Sequence, residues 1–211
     1  MKIKSLGFTS FLIDNDKSTI VTDPLFPKEI GLKIGKVEAE IAIISDKKHL
    51  GKLNIVGDTV TATKREGVLE ITGCGEFESA EFLIQRPMGM PYYVIDSGYT
   101  RIVYVGLESK SITKEMVSDL GDVEVLILPV GDSKMFPDFE MLQDIISEID
   151  PTILVPCGYS EKGIDEKLSL KTKEEFLHHF GYSNFREEKT LKVTGKAEND
   201  EKVMDIVFLN K

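Results

Sequence analysis

The residues of this chain that could do chemistry begin where a short apolar run ends. Residues 41–44 are apolar and largely β-branched, a pattern typical of a strand that is buried on both faces. Ser45 then opens a charged turn that contains Asp46, Lys48 and His49. Functional side chains often lie in the loop that follows such a strand. The turn is therefore the first place to look for a metal-binding or catalytic site.

Carboxylates in other predicted loops could extend this site. They are Asp23, Glu76, Glu78, Glu108 and Asp132. Carboxylate oxygens alone can hold a hard cation such as Mg²⁺ or Ca²⁺. Because the whole chain is acidic, the favoured interpretation is a solvated acidic rim or a set of turn caps. Asp23, in the sequence Thr-Asp-Pro, is expected to cap backbone amides of its own turn.

The cysteines and histidines give weaker signals. Cys157 ends a predicted strand, where a thiolate nucleophile could act, but no histidine base lies nearby in the sequence. We therefore favour a small buried apolar role for Cys157, and the same role for Cys74. His178 and His179 are adjacent on a predicted helix, so they point to different sides and cannot chelate a metal together. His49 is the only histidine near the predicted site, and we expect it to be exposed.

Composition limits the function classes. The 211 residues carry a formal net charge of −10, and the pI is about 4.9. This balance opposes unspecific attraction to nucleic acids or anionic lipids. Apolar content of 41% and charged content of 29% are ordinary for a globular protein. Its apolar runs are too short for a membrane span and the first residues do not form a signal peptide, which favours a cytoplasmic protein with reduced cysteines.

Short strands dominate the first half of the predicted structure. Residues 2–5, 11–14 and 19–22 have strand patterns, and Asn15-Asp16-Lys17 supplies a turn, so we predict an antiparallel meander. Residues 25–40 read as an irregular loop. Further short strands are separated by turns such as Gly73 to Gly75, which favours a β-sandwich. These strands are predicted at residues 54–56, 59–64, 68–72, 80–86, 92–96 and 101–105.

Helices enter in the second half. A short helix is predicted at residues 113–120, capped by Thr113 and ended by Gly121. Residues 124–129, 138–149 and 152–156 form a strand, helix and strand, whose strands should be parallel. Residues 172–180 form a helix that starts with a Thr172/Glu175 capping box. Strands at residues 190–194 and 203–209 end the chain, and the order indicates two sheets with helices on their outer faces.

Several segments together carry a family resemblance. Residues 6–10, 21–24, 73–78 and 118–131 read LGFTS, VTDP, GCGEFE and SDLGDVEVLILPVG. With the strand that ends in Ser45, their order resembles the metallo-β-lactamase superfamily, in particular its small bacterial branch of lactonase-like and phosphodiesterase-like hydrolases. The resemblance covers roughly residues 1–160. It implies an α/β fold, a four-layered αββα sandwich with mixed sheets and outer helices, as a single domain over residues 1–211.

The same resemblance implies that the ligands of the metal centre have been lost. Family members hold two metal ions with several histidines and a bridging carboxylate, which activate water and stabilise an oxyanion. Here residues that are not their chemical equivalents stand at those positions, namely Phe8, Asp46, Lys48, Leu50, Gly51, Leu107 and Gly158. A Lys48–Asp46 ion pair would be one way to fill the emptied position. We expect neither catalytic residues nor metal ligands, and a remnant cleft formed by Asp23, Asp46, Lys48, His49, Glu76, Asp132 and Cys157.

These observations leave competing hypotheses of function. The favoured one is a pseudoenzyme, a binding or assembly protein without a cofactor, whose partner is a small ligand of unknown identity, a second copy or an active paralogue. The alternative is a hydrolase of phosphodiesters or lactones with a rebuilt mononuclear Zn, Mn or Mg site. Its ligands would come from Asp23, Asp46, His49, Glu76 or Asp132. A metal-free enzyme based on Cys157 is a third hypothesis, and nucleic-acid binding is disfavoured by the acidic charge.

Overall fold

The described part of the chain forms two mixed β-sheets and three α-helices. The structure is a computed structural model that describes residues 1–24, 30–32, 37–46, 62–65, 68–98, 100–194 and 203–211. The helices are α1 Lys114–Val117, α2 Phe139–Ile149 and α3 Lys173–Phe180. The strands are β1 Lys2–Gly7, β2 Ser10–Asp14, β3 Thr19–Thr22, β4 Ile41–Ile43, β5 Ala62–Arg65, β6 Val68–Ile71, β7 Gly75–Glu78, β8 Leu83–Arg86, β9 Tyr92–Ser97, β10 Thr100–Val105, β11 Val125–Pro129, β12 Ile153–Cys157, β13 Arg186–Glu188, β14 Leu191–Lys192 and β15 Asp205–Leu209.

The first sheet has the strand order β14-β1-β2-β3-β4-β6-β5. Its β1 to β3 form the predicted antiparallel meander, and the Asn15 side chain accepts hydrogen bonds from the backbone of Lys17 and Ser18 in the turn. Strand β4 lies between β3 and β6 and is parallel to both. All three of its residues are buried, so the prediction of an interior strand is confirmed.

The second sheet has the order β13-β15-β12-β11-β10-β9-β8-β7. Strands β11 and β12 are parallel and are joined by α2, as predicted. The Asp138 side chain caps α2 by accepting from the amide of Met141, and the apolar stripe of this helix is buried. Thr172 and Glu175 form the predicted capping box of α3, and Gly181 ends the helix with φ 65°. The predicted α/β architecture of two mixed sheets with outer helices is thus confirmed.

The structure differs from the local predictions at three places. Residues 75–78, where no strand was predicted, form β7, because Glu76, Phe77 and Glu78 alternate across an edge of the sheet. The polar strand β13 has no apolar pattern and is paired with β15. Helix α1 spans a single turn, and Thr113 makes no side-chain cap to it, although Gly121 does adopt the predicted left-handed conformation with φ +67°. The strand predicted at residues 54–56, and residues 59–61 of the next one, lie outside the described residues.

Apolar side chains fill two layers. The larger cluster lies between the sheets and joins residues such as Ile13 and Ile43 of the first sheet to Ile95 and Val155 of the second. Another lies between the second sheet and the helices, where Ile145 of α2 is fully buried. None of the described helices has the length and apolar character needed to cross a membrane. The loops at the carboxyl ends of β3, β4, β10, β11 and β12 carry the residues considered next.

Candidate functional site

Asp23 is the buried carboxylate at the end of β3. Its amide donates to the carbonyl of Ile43 at 2.8 Å, and its φ is +39°. The carboxylate accepts the backbone amide of Ser45 at Oδ1 (2.7 Å) and the Ser45 hydroxyl at Oδ2 (2.6 Å). The amides of the turn that follows Pro24 lie outside the described residues, so the capping role of Asp23 stays a prediction. The described hydrogen bonds give Asp23 a further role. It binds the strand end 22 residues away, because β3 and β4 are parallel neighbours whose carboxyl ends meet.

Ser45 connects Asp23 to the loop after β10 by hydrogen bonds. While its hydroxyl donates to Asp23, the oxygen accepts the amide of Leu107 at 2.8 Å. Gly106 makes this approach feasible, because a Cβ at position 106 would lie 2.1 Å from Ser45 Oγ and 2.8 Å from Asp23 Oδ2. Position 106 therefore has no room for a side chain beside Ser45.

Tyr104 joins the second sheet to the same carboxylate. Its hydroxyl lies 2.5 Å from Asp23 Oδ2 and 3.0 Å from the carbonyl oxygen of Thr9. Tyr104 is on β10 of the second sheet, whereas Asp23 and Thr9 belong to the first sheet and its loops. Sequence analysis missed this tyrosine, because no local pattern links residues that lie 81 positions apart.

Burial dominates the electrostatics of this network. Desolvation raises the pKa of Asp23, and the hydrogen bonds from Ser45, Tyr104 and the Leu107 backbone oppose that rise. Burial raises the pKa of the Tyr104 phenol well above its ordinary value, with the nearby Asp23 as a further cause. Burial, followed by the charges of Asp23 and Glu161, likewise raises the pKa of the Cys157 thiol. These groups therefore resist carrying a negative charge.

An apolar cluster, formed by Phe8, Ile30, Leu107 and Phe136, lies beside the network. All four side chains are buried, and the rings of Phe8 and Phe136 are 5.7 Å apart. Two of them, Phe8 and Leu107, stand at positions where the resemblance implies metal ligands. Side chains without donor atoms thus meet at this place.

Gly158 is a third position where the resemblance implies a metal ligand, and it borders the apolar cluster. Its amide donates to the carbonyl of Phe8 at 3.3 Å, and its φ is +65°. A Cβ at position 158 would lie 2.9 Å from the Phe136 ring, so the aromatic side chain occupies the space next to this glycine. Lys110 holds the loop of Phe136 by donating to the carbonyls of Ser133 and Phe136, both at 2.8 Å.

Within the described residues, the remaining carboxylates of the predicted cleft form no metal-binding group with Asp23. Glu76 is exposed on β7 and accepts from Gln85 of the neighbouring strand. Strand β7 is three strands from β10, which corresponds to about 14 Å. Asp132 follows β11 and is half-buried, and its charge acts on Lys171, whose pKa is raised first by Glu175. Asp46 is half-buried next to Ser45. Lys48, His49, Leu50 and Gly51 lie outside the described residues.

A second buried network contains Arg86, which sequence analysis did not single out. Arg86 is only 5% exposed, and its guanidinium donates to the Met90 carbonyl, the Tyr93 hydroxyl and the Glu108 carboxylate at 3.1–3.2 Å. Tyr93 in turn donates to the carbonyl of Ile44 at 3.1 Å. Burial raises the pKa of Tyr93 to about 12, against the opposing influence of Arg86. The two networks therefore meet at adjacent residues of the same two loops.

A pocket of about 330 Å³ opens beside Arg86. Its volume is within the range of small-molecule sites. The pocket combines a guanidinium, a carboxylate, a hydroxyl and a thiol with apolar surface, and is lined by Cys74, Arg86, Gly89, Met90, Pro91, Glu108 and Ser111. Such a lining suits a small polar ligand.

The cysteines differ in accessibility, and this predicts their reactivity. Cys74 is partly exposed and Cys157 is buried, and both are free thiols. Because only the thiolate is nucleophilic, and burial raises the pKa of Cys157, iodoacetamide should alkylate Cys74 first and should reach Cys157 only after unfolding. Peptide mass spectrometry of the folded and the urea-unfolded protein measures both rates. Rapid alkylation of Cys157 in the folded Cys74→Ser variant would contradict this prediction and revive the hypothesis of a cysteine enzyme.

A dinuclear metal centre does not fit the described residues. Phe8, Leu107 and Gly158 offer no side-chain donor, and both oxygens of Asp23 are engaged by Ser45 and Tyr104. Within the described ranges, no three His, Cys, Asp or Glu side chains are arranged to hold a metal ion.

Comparisons with known proteins agree with the fold. A family model described as "Beta-lactamase superfamily domain" matches residues 2–158. A candidate Zn-dependent hydrolase of the metallo-β-lactamase superfamily from Thermotoga maritima superposes with a TM-score of 0.71 at 19% identity, over 99% of this chain and 100% of that one. No curated protein sequence matches significantly.

Two more solved structures are similar at lower identity. The metallo-β-lactamase fold protein YhfI from Bacillus subtilis gives a TM-score of 0.54 at 11% identity, over 98% of this chain and 95% of that one. An isothiocyanate hydrolase from Delia radicum gut bacteria gives 0.58 at 12% identity, over 85% and 91%. At these identities, the similarity to solved structures concerns the fold alone.

Proposed function

Because this chain belongs to the β-lactamase superfamily domain family, yet has apolar side chains where the resembled enzymes hold metal, we propose that it is a non-catalytic binding or assembly protein. The observation that carries the proposal is the apolar cluster. Phe8 and Leu107 pack with Ile30 and Phe136, and this packing stabilises the fold at a place where an enzyme would keep polar donors and open space.

The two polar networks support the same proposal. The Asp23 carboxylate accepts hydrogen bonds that join strand ends, and the Arg86 guanidinium donates hydrogen bonds to three partners. In a hydrolase, at least one such group would be free to activate water or to stabilise an oxyanion. Here each of them has a structural partner, so the networks support rigidity rather than turnover.

The pocket beside Arg86 is where we propose that a small ligand binds. It lies next to the loop of Leu107, and therefore at the same end of the sandwich as the apolar cluster. For an assembly role, we propose that the protein pairs with a second copy of itself or with an active paralogue. Light scattering at several protein concentrations measures self-association directly.

Metal retention separates the binding hypothesis from the alternative hydrolase. Protein purified without chelator, loaded in turn with Zn²⁺, Mn²⁺ and Mg²⁺ and then dialysed, should retain clearly less than one equivalent by elemental mass spectrometry. The same samples should be inactive towards phosphodiesters and lactones. The physical reason is that Phe8, Leu107 and Gly158 supply no ligand atoms.

One retained equivalent with hydrolysis would overturn the proposal and favour a rebuilt mononuclear site. Asp46→Ala and His49→Ala are the matched variants, because these residues are the remaining candidates in the loop after β4. Loss of both metal and activity in these variants, with an unchanged unfolding midpoint, would assign the ligands. If the hydrolytic activity is unchanged in both variants, it comes from a contaminating hydrolase, and the binding proposal stands.

A further inference from the structure

Asp23 lies in surroundings that are unusual for an ionised carboxylate. Its side chain is buried, with only 2% of the residue exposed. In the part of the chain that the structure describes, the groups that hydrogen-bond to the carboxylate belong to Ser45, Tyr104 and the Leu107 backbone, and all of them are uncharged. A buried negative charge with neutral partners alone is costly, because the desolvation energy is not returned by a counter-charge.

The count of protons around Tyr104 also bears on the charge of Asp23. The phenol has one proton but two acceptors, Asp23 Oδ2 at 2.5 Å and the Thr9 carbonyl at 3.0 Å. If Asp23 is ionised, the phenol must donate to it, and the hydrogen-bond donor that the Thr9 carbonyl keeps among the described residues is the Thr22 hydroxyl at 3.4 Å. If Asp23 is protonated, it donates to Tyr104 and Tyr104 donates to Thr9. Only the protonated form satisfies both short contacts.

We propose that Asp23 is a neutral carboxylic acid in the folded protein at neutral pH and that its proton, donated to Tyr104, completes a hydrogen-bonded link between the two sheets. The chain of donors runs from Leu107 to Ser45, then to Asp23, Tyr104 and the Thr9 carbonyl. This link is independent of the proposed binding role.

The titratable groups that face Asp23 from other elements of the described structure supply no positive charge. They are Tyr104 on β10, Cys157 on β12 and Tyr93 on β9, and each would become negative on losing its proton. Glu161 adds a negative charge near Cys157. The guanidinium of Arg86 is separated from Asp23 by Tyr93 and is already paired with Glu108.

The sign of the pH effect follows from proton linkage. If the folded protein holds this proton above the ordinary aspartate range, the folded state binds more protons than the unfolded state in that window. The contribution of Asp23 to stability is then complete below the unfolded pKa and is lost as pH rises through the folded one. A one-proton difference changes the unfolding constant up to tenfold per pH unit.

The Asp23→Asn variant tests the proposal, because an amide reproduces the shape of a neutral acid and can donate to Tyr104. We expect its unfolding constant at pH 7 to equal or fall below that of the natural chain. We also expect the ratio of the natural chain's unfolding constant to the variant's to rise as pH increases from about 4, the unfolded aspartate value. A ratio that falls over this range, with the variant much less stable at pH 7, would overturn the proposal.

A measurement on the unaltered chain keeps the proposal testable if the variant fails to fold. Carbon-13 NMR of aspartate carboxyl groups should show one resonance that remains in its protonated position at pH 7. Tyr104→Phe assigns it, since that resonance should shift most. If every aspartate resonance is that of a carboxylate at pH 7, Asp23 is ionised and the inference is wrong.

Discussion

Replacing Phe136 by alanine is expected to lower the free energy of unfolding by about 3–5 kcal/mol, the usual cost of deleting a buried aromatic side chain. Phe136 is fully buried, packs on Phe8 and fills the space next to Gly158. The Gly158 backbone is fixed by strand pairing on one side and by its bond to Phe8, so it cannot collapse into the cavity. Urea denaturation, followed by circular dichroism, measures the change in midpoint and slope.

Two control variants make this result specific. Phe136→Leu keeps most of the apolar volume and should cost less than the alanine variant, whereas Met88→Ala, at an 87% exposed position, should change stability by at most about 0.5 kcal/mol. A loss below about 1 kcal/mol for Phe136→Ala would mean that the apolar cluster contributes little to the fold. In that case packing at the apolar cluster would not explain the absence of a reactive site there.

Local sequence signals predicted those parts of the fold that depend on neighbouring residues. The Asn15 turn and the Thr172/Glu175 capping box each involve residues at most three positions apart. The buried run of β4 was predicted for a similar reason, because strand burial on both faces leaves an apolar run. Strand β7 was missed because its glycines and carboxylates, typical of turns, also suit an exposed edge strand.

The candidate site depends on contacts that no local pattern encodes. Phe8, Leu107 and Gly158 were identified by their place in family motifs, but Ile30 and Phe136, which complete the apolar cluster, lie in irregular segments without periodicity. The bonds of Asp23 to Ser45 and Tyr104 join residues that lie 22 and 81 positions apart. Arg86 was overlooked because arginine is common at the surface, and its burial is caused by Tyr93 and Glu108 from other segments.

The Gly106→Ala variant tests the junction between the two sheets with a single methyl group. Its Cβ would lie 2.1 Å from Ser45 Oγ, 2.4 Å from Ser45 Cβ and 2.8 Å from Asp23 Oδ2. Because these atoms are buried and hydrogen-bonded, they cannot move aside cheaply, and we expect a loss of roughly 3 kcal/mol in the free energy of unfolding. Urea denaturation measures it. Gly106 is outside the left-handed region, so the cost comes from crowding and not from backbone strain.

Two further experiments separate crowding from backbone strain: a Gly89→Ala variant and a double variant at positions 45 and 106. Gly89 has φ +78° and nothing within 4 Å of its added Cβ, so Gly89→Ala should cost only the strain of the left-handed backbone, about 1–2 kcal/mol. Ser45→Gly removes both of the nearest atoms, and the Ser45→Gly/Gly106→Ala double variant should therefore lose less stability than the sum of the single variants. Simple additivity would show that residues 45 and 106 do not contact each other, and crowding would then not explain the cost of Gly106→Ala.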